Sequence, residues 1–271
     1  MNHNTIKKTL LSSLIVPFAL GAQSASAALV TDWGYQVQSV FENATATAGT
    51  GTLSGEGTST LSWGVGPGPQ SSVSITDVNE GSGLMTDGDY VNGGVFTHTN
   101  NILPAQGLAL DSFDLTSVLT LTPFAPDPGA SLPASATTFQ SFFIETANSA
   151  PCVEAVGPEC ADIFTIGDVT GSVLNEFGNF EFNSSFGYDG YVYTVFLELA
   201  GLAALDDASC AAAGAPDGCV GLVTEEDNVN NFQTRFRITA TEMVPEPGTL
   251  ALLGMGLAGL GLSRRRKAAK S

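Results

Sequence analysis

Short runs in which apolar and polar residues alternate recur along the chain from residue 72 to residue 242. Alternation with a period of two, in segments rich in Val, Ile, Thr, Phe and Tyr, is typical of β-strands with one buried face. Turn sequences rich in Gly, Pro and Asp separate the runs. The clearest runs are SVSITDV (72–78), SVLTLTPF (117–124), TTFQSFFIET (137–146), YVYTVFLEL (191–199) and FQTRFRITATE (232–242).

This pattern predicts an all-β body, built as an antiparallel β-sandwich of jelly-roll-like type, with a β-barrel as the alternative. At most one short helix is expected, in the Ala-rich part of residues 198–214. Residues 42–62, rich in Thr, Gly, Ser and Ala, indicate an exposed, weakly paired edge strand. Four prolines within residues 122–136 indicate a long loop, because proline obstructs central strand pairing.

The N-terminal residues 1–27 have the three parts of a secretory signal peptide in order. Lys7 and Lys8 lie in a polar start, and an apolar run follows over residues 9–20. Ala25 and Ala27 then occupy the small-residue positions that a signal peptidase reads. We therefore expect export through the inner membrane and cleavage after Ala27.

The C-terminal residues 245–267 have an equally ordered composition, followed by a tail at 268–271. Pro245, Glu246 and Pro247 precede an apolar stretch of 13 residues from 250 to 262. A helix of that length spans about 20 Å, whereas the hydrocarbon core of a bilayer is about 30 Å thick. The segment therefore predicts transient membrane contact, with a basic cluster on the cytoplasmic side. That cluster is Arg264, Arg265, Arg266 and Lys267.

This C-terminal arrangement resembles the PEP-CTERM sorting signal of Gram-negative bacteria. The resemblance implies processing near the Pro-Glu-Pro motif by an exosortase-type enzyme. It also implies a final location at the cell surface or in the extracellular matrix, in association with exopolysaccharide and biofilm.

The body between the two signals, residues 28–244, is strongly acidic. It contains 26 acidic residues and only two basic ones, Arg235 and Arg237, so its formal charge is −24. Such a body repels nucleic acids and anionic lipid headgroups, which excludes nucleic-acid binding as its function.

The four cysteines fall into two short, Pro- and Gly-containing segments, PCVEAVGPEC and CAAAGAPDGC. Four cysteines allow three connectivities, and an exported chain meets oxidising conditions. We predict two local disulfides, Cys152–Cys160 and Cys210–Cys219. The competing interpretation, a four-cysteine metal site, is disfavoured because the spacings do not resemble those of zinc sites.

The sequence contains no clear catalytic motif, and we predict no catalytic residue. After removal of the signal peptide His98 is the only histidine, and no GxSxG nucleophile motif occurs. Catalysis by paired carboxylates is harder to exclude, because with 26 acidic residues in the body some two will lie close together in any fold. A secreted carboxylate-dependent glycosidase or lyase acting on exopolysaccharide therefore remains the alternative to a non-enzymatic protein.

No cofactor is expected apart from a structural Ca²⁺. The segment DGDYVNGG places Asp87 and Asp89 close together, but its fifth position is Val91, so the EF-hand order fails. TEEDN (224–228) forms a second acidic cluster. Trp33 and Trp63 could present a sugar-binding face, although alternating positions in strands more often belong to a core.

The segment GGVFTHTNNIL (93–103) resembles the THxN family of PEP-CTERM proteins, through Thr97, His98 and Asn100. The resemblance implies a secreted surface or matrix protein and assigns no activity to it. Because these three side chains offer both donors and acceptors, we expect a structural motif in which His98 ties a loop to a neighbouring strand through hydrogen bonds. The predicted partners are thus signal peptidase, an exosortase-type enzyme and extracellular polysaccharide.

Overall fold

The computed structural model describes residues 28–66, 68, 70–146, 150–156, 159–167, 172–243 and 257. The predicted signal peptide lies outside these residues, and so does the predicted sorting segment apart from Leu257. Within the described part of the chain, no helix is both long and apolar enough to cross a bilayer.

Two large antiparallel sheets form the body. In the described residues the first sheet has seven strands, in the order β15–β16–β11–β8–β7–β1–β5. They are β1 (Asp32–Ala46), β5 (Val78–Met85), β7 (Leu110–Ala125), β8 (Ser135–Ile144), β11 (Asp162–Ile166), β15 (Ala203–Ala204) and β16 (Val220–Thr224).

The second sheet has eight described strands, in the order β12–β13–β14–β17–β6–β4–β3–β2. They are β2 (Thr52–Ser54), β3 (Thr60–Gly64), β4 (Gln70–Ile75), β6 (Val91–Asn100), β12 (Val173–Leu174), β13 (Phe180–Tyr188), β14 (Tyr191–Leu199) and β17 (Asn228–Glu242). A separate two-stranded ribbon pairs β9 (Ala155–Val156) with β10 (Glu159–Cys160).

The apolar side chains of both sheets meet between them, so the prediction of an antiparallel β-sandwich is confirmed. One core cluster joins Phe41, Phe113 and Phe164 of the first sheet to Leu61 and Phe96 of the second. A second cluster centres on Trp33, whose ring lies edge-on to Tyr193 with centroids 4.9 Å apart. T-shaped aromatic pairs of this kind add stability beyond the area they bury.

Alternation along the strands decides which side chains enter this core. In β6 the residues Gly94, Phe96, His98 and Asn100 are buried, whereas the residues between them are only partly so. A strand directs successive side chains to opposite faces, so these four point toward the first sheet. The inward face of β6 therefore changes from apolar to polar at His98.

The expected helix is present as α1 (Asp207–Ala212). Asp206 caps its N-terminus, where the carboxylate accepts a hydrogen bond from the Ser209 backbone N–H at 2.7 Å. This helix contains Cys210 and so leads into the second disulfide-bearing segment.

Both predicted disulfides are present, Cys152–Cys160 and Cys210–Cys219, with Cα atoms 5.1 and 5.8 Å apart. Cys210 and Cys219 are buried and pack with Ala215 against Phe142, on the outer side of β8. The second bridge therefore fastens a loop that covers the first sheet from outside.

Two expectations about irregular segments hold only in part. The stretch 42–62 contributes the edge strand β2, but it also contains the end of the central strand β1 and most of β3. The Pro-rich stretch is a loop only over residues 126–134, because β7 continues to Ala125. Pro123 is accommodated inside β7 opposite Trp33, where the pairing register with β1 shifts.

Candidate functional site

An apolar cavity of about 420 Å³ lies between the two sheets. The first sheet contributes side chains of β1, β7, β8 and β11, and the second those of β4, β6, β13, β14 and β17. Several of these apolar side chains are only partly buried by the protein, which leaves their surface facing the cavity. They include Val37, Leu115, Leu119, Phe139, Phe182 and Leu197.

The strands β8 and β13 border the cavity, and most of the side chains at this border are polar and uncharged. Ser135 and Thr137 of β8 and Asn183, Ser184 and Ser185 of β13 are exposed at its edge. The part of β8 before Gln140 pairs with β7 alone, because β11 pairs only with residues 141–144 and Gly167 bonds only to Gln140. Among the described residues the lining contains no charged side chain. The cavity thus has an apolar interior and a rim of hydroxyl and amide groups.

A second site lies at one end of the sandwich, where three acidic side chains converge in what we call the carboxylate cluster. Its members are Glu145, Asp162 and Glu226, and one oxygen of each lies within 4.8 Å of the others. Asp162 is fully buried and Glu226 is 4% exposed. Charged side chains are almost never buried to this degree without compensation.

Three chain segments bring the carboxylate cluster together. Glu145 directly follows β8, and Asp162 begins the neighbouring strand β11. Glu226 lies in the short connection from β16 to β17, where the chain passes from the first sheet to the second. Asp227 in this connection has φ of 51°, a conformation that Asp and Asn adopt more readily than most residues.

Hydrogen bonds hold one oxygen of each carboxylate. Asp162 Oδ1 accepts hydrogen bonds from the backbone N–H and the hydroxyl of Thr146, at 2.7 and 3.3 Å. Glu145 Oε2 accepts one from Trp63 Nε1 at 3.3 Å, and Glu226 Oε2 accepts one from Asn100 Nδ2 at 3.3 Å. These bonds fix the orientation of the groups.

The carboxylates strongly influence one another's protonation. Burial, followed by the charge of Asp162, raises the pKa of Glu145. Burial also raises the pKa of Asp162, against the lowering effect of the hydrogen bonds from Thr146. Both shifts express the cost of placing negative charge close together in a poorly solvated site.

His98 lies beside this cluster, inside strand β6 rather than in a loop as expected. Its ring stacks on Trp63 with centroids 5.7 Å apart and meets Phe143 edge-on at 5.3 Å. Its Nδ1 lies 3.0 Å from the hydroxyl of Thr224 in β16. Because that hydroxyl donates to the Asp162 carbonyl, Nδ1 carries the proton and donates to Thr224.

His98 therefore connects the two sheets. Burial lowers its pKa from 6.5 to about 3, so the ring is neutral at physiological pH. The ring is 1% exposed, which places it out of reach of a bulky substrate. These contacts support the structural role that the sequence predicts.

We expect His98→Gln to lower the free energy of unfolding by about 1–3 kcal/mol, through the lost ring contacts and the altered bond to Thr224. Thr99→Val, on the opposite face of β6, is the matched control and should change stability by less than about 0.5 kcal/mol. Urea unfolding of both variants checks this. Equal stability of His98→Gln and wild type would contradict a structural role.

The remaining motif residues divide between the two faces of β6. Asn100 points inward, next to the carboxylate cluster, and is 1% exposed. Thr97 points outward, and its hydroxyl donates to Asn231 Oδ1 at 2.8 Å. In the sequence the three residues form one motif, which could not indicate that Asn100 alone meets the carboxylates.

The acidic pair proposed for Ca²⁺ from the sequence lies elsewhere. Asp87 and Asp89 are both exposed, and Asp87 accepts a hydrogen bond from the backbone N–H of Ala240 at 3.2 Å. In the part of the chain that is described, no third acidic, His or Cys ligand joins them in a group. The second acidic segment, TEEDN, contributes Glu226 to the carboxylate cluster.

The aromatic sugar-binding face is not formed. Trp33 and Trp63 are both fully buried, which agrees with the core interpretation of their alternating positions.

Both arginines of the body lie on the outer face of the second sheet. Arg235 pairs with Glu198, and Arg237 pairs with Glu181 with Nε 3.3 Å from Oε1. The guanidinium of Arg237 also lies over the ring of Phe196, 4.2 Å from its centroid. Neither arginine of the body is therefore free to balance the carboxylate cluster.

Comparison with known proteins adds information at the C-terminus. The chain joins an all-β sandwich to a C-terminal protein-sorting motif: residues 244–267 match the PEP-CTERM protein-sorting motif. This motif contains the predicted Pro-Glu-Pro and Arg cluster. It implies export, processing through an exosortase-type pathway and a surface or extracellular location in bacteria. Comparisons with curated proteins and with solved structures give no match.

Proposed function

We propose that the exported body is a non-enzymatic binding protein of the cell surface or the extracellular polysaccharide matrix. Its binding site is the inter-sheet cavity, and its ligand is a molecule with an apolar chain and an uncharged polar head. The cavity is the observation that carries this proposal. Its volume of about 420 Å³ lies within the range of roughly 300–1,000 Å³ typical of small-molecule sites.

The chemistry of the cavity supports a ligand of this class. Protein interiors normally leave few voids larger than a water molecule, so a large apolar space in a well-formed sandwich suits an occupant. The apolar side chains of β7, β8, β13 and β14 would cover an alkyl or isoprenoid chain. The serine, threonine and asparagine side chains at the rim can hydrogen-bond hydroxyl groups, as in the sugar of a glycolipid.

The proposed location follows from the two ends of the chain. The sorting motif supports surface processing, and its resemblance to Gram-negative sorting signals supports association with exopolysaccharide and biofilm. The acidic body repels anionic headgroups and nucleic acids, which disfavours an anionic ligand. The uncharged lining of the cavity favours an uncharged one. Direct contact of polysaccharide with Trp33 or Trp63 has no support, since both rings are fully buried.

The alternative function is a secreted glycosidase or lyase that uses carboxylates. Such enzymes need two carboxyl groups that flank the scissile bond of a substrate bound in a cleft. Asp162 is fully buried and Glu226 is 4% exposed, which supports a non-catalytic role for them. Release of reducing ends from the producer's own polysaccharide, abolished by one Asp or Glu substitution, would favour the enzyme.

We expect the protein purified after export to bind N-phenyl-1-naphthylamine, an uncharged apolar fluorophore, with saturable enhancement of emission. Leu119→Trp should weaken this binding by about tenfold or more, because the larger ring enters the cavity from β7. The measurement is a fluorescence titration, with thermal unfolding of each variant recorded alongside.

Val118→Trp provides the matched control. Val118 is the preceding residue of the same strand, does not line the cavity and therefore faces the other side of the sheet. It should bind the fluorophore as the wild type does. Equal binding by Leu119→Trp and Val118→Trp, with both variants folded, would reject the cavity as the binding site.

A further inference from the structure

We infer that the carboxylate cluster binds a divalent cation, and that Asn100 contributes its amide oxygen. The ligand chemistry favours Ca²⁺, which prefers carboxylate and amide oxygens. This site lies apart from the cavity, and none of its residues lines the cavity. The inference therefore stands independently of the proposed binding function.

The geometry fits an ion of this size. One oxygen of each carboxylate lies within 4.8 Å of the others. Ca²⁺ binds oxygen at about 2.3–2.6 Å, so two ligands on opposite sides of the ion are separated by about 4.6–5.2 Å. A single Ca²⁺ can therefore contact all three groups with little movement. Mg²⁺, with bonds of about 2.0–2.1 Å, would require a tighter cluster.

Two of the carboxylates provide independent support, because each has one hydrogen-bonded oxygen and one oxygen without a hydrogen bond. Glu145 and Asp162 each have one oxygen fixed by Trp63 or Thr146, respectively. Their other oxygens, Glu145 Oε1 and Asp162 Oδ2, are buried and have no hydrogen-bond partner in the described part of the chain. Donors that fix one oxygen and leave the other directed inward are the usual support of a metal ligand.

Asn100 adds a neutral ligand of the same kind. Its side chain is 1% exposed, and its Nδ2 lies 3.3 Å from Glu226 Oε2, which places the amide at the cluster. Its Oδ1 is buried without a hydrogen-bond partner among the described residues. An unsatisfied buried amide oxygen costs about 1–3 kcal/mol as a general rule, and coordination to a cation would remove that cost.

The body has few positive charges that could balance the negative charge of the carboxylate cluster. No lysine occurs in residues 28–244, and both arginines pair with Glu198 and Glu181 on the outer face of the second sheet. Within the described part of the body, no basic side chain is available to the cluster, which leaves a bound cation or protons to compensate its charge.

The location of the cluster indicates what the cation would do. Glu145 and Asp162 belong to the first sheet, Asn100 ends β6 of the second, and Glu226 lies where the chain crosses between the sheets. A bound ion would hold this end of the sandwich closed. We therefore expect Ca²⁺ to stabilise the protein against unfolding, because it binds the folded state and not the separated segments.

The test uses the exported protein after treatment with a chelator. Added CaCl₂ should raise the melting temperature, and Tb³⁺, a luminescent substitute for Ca²⁺, should emit on excitation of tryptophan. Trp63 is the expected donor, since its Nε1 lies 3.3 Å from Glu145 Oε2. Ca²⁺ should compete with this emission. Asp162→Asn should weaken both effects by about tenfold or more, because affinity depends on ligand charge.

Two further variants separate this site from general binding to an acidic surface. Asp87→Asn with Asp89→Asn removes two exposed carboxylates and should preserve both effects. Trp63→Phe removes both the luminescence donor and the indole N–H that orients Glu145. Tb³⁺ emission should therefore be lost, and Ca²⁺ should raise the melting temperature by less than in the wild type but by a measurable amount. Failure of CaCl₂ to raise the wild-type melting temperature, or Tb³⁺ emission that persists in Trp63→Phe, would overturn the inference.

Discussion

Trp63→Ala is expected to lower the free energy of unfolding by about 3–5 kcal/mol, the usual cost of truncating a large buried aromatic side chain. Trp63 is fully buried and contacts both His98 and Phe143, with ring centroids 5.7 and 5.3 Å apart. Its indole also donates to Glu145. Truncation would leave a cavity between the sheets and remove the donor that orients this carboxylate.

Trp63→Phe separates the two contributions. It keeps most of the aromatic volume but removes the indole N–H, so we expect a loss of about 1–3 kcal/mol. Chemical denaturation with tyrosine fluorescence or circular dichroism measures both variants. A loss below about 1 kcal/mol for Trp63→Ala would show that this end of the core does not depend on the indole.

Arg235→Gln is the second substitution for which we expect a large effect. Glu198 is fully buried on the outer face of the second sheet, and its partners are Arg235 and Asn175. Removing one member of a buried ion pair costs about 3–5 kcal/mol, because the other charge stays buried without compensation. Since the Arg235 side chain is 37% exposed, we expect a loss near the lower end of this range.

A double-mutant cycle tests the cause of this loss. Arg235→Gln combined with Glu198→Gln removes both charges and should recover much of the stability that Arg235→Gln loses. Urea unfolding of the wild type, the two single variants and the double variant gives the coupling energy. Losses that simply add would mean that the guanidinium stabilises the sheet through packing, over Tyr90 for example, and not through Glu198.

The strands could be predicted because their signal is local. In YVYTVFLEL the inward positions Tyr193 and Val195 are buried, as alternation requires. Glu198 lies on the opposite face, where a solvent-exposed side chain is the ordinary expectation. It is buried instead because Arg235 and Asn175, both distant in sequence, reach it.

The two sites could not be predicted because they depend on contacts between distant segments. Glu145, Asp162 and Glu226 are ordinary acidic residues far apart in the sequence, and only the folded sheets bring them together. The cavity depends on how completely two sheets fill the space between them, which alternation does not specify. His98 is the only histidine of the body and therefore the obvious candidate for a site. Asn100, two residues later, is the residue that contacts the carboxylate cluster.

The most direct test of the proposed function is a crystal structure of the exported protein soaked with octyl glucoside, a neutral sugar with an alkyl chain. The proposal predicts electron density for the chain between β7 and β14, near Leu119 and Leu197, with the sugar beside Thr137 and Ser184. A cavity closed by the protein's own side chains, with octyl glucoside bound only on the outer surface, would contradict it.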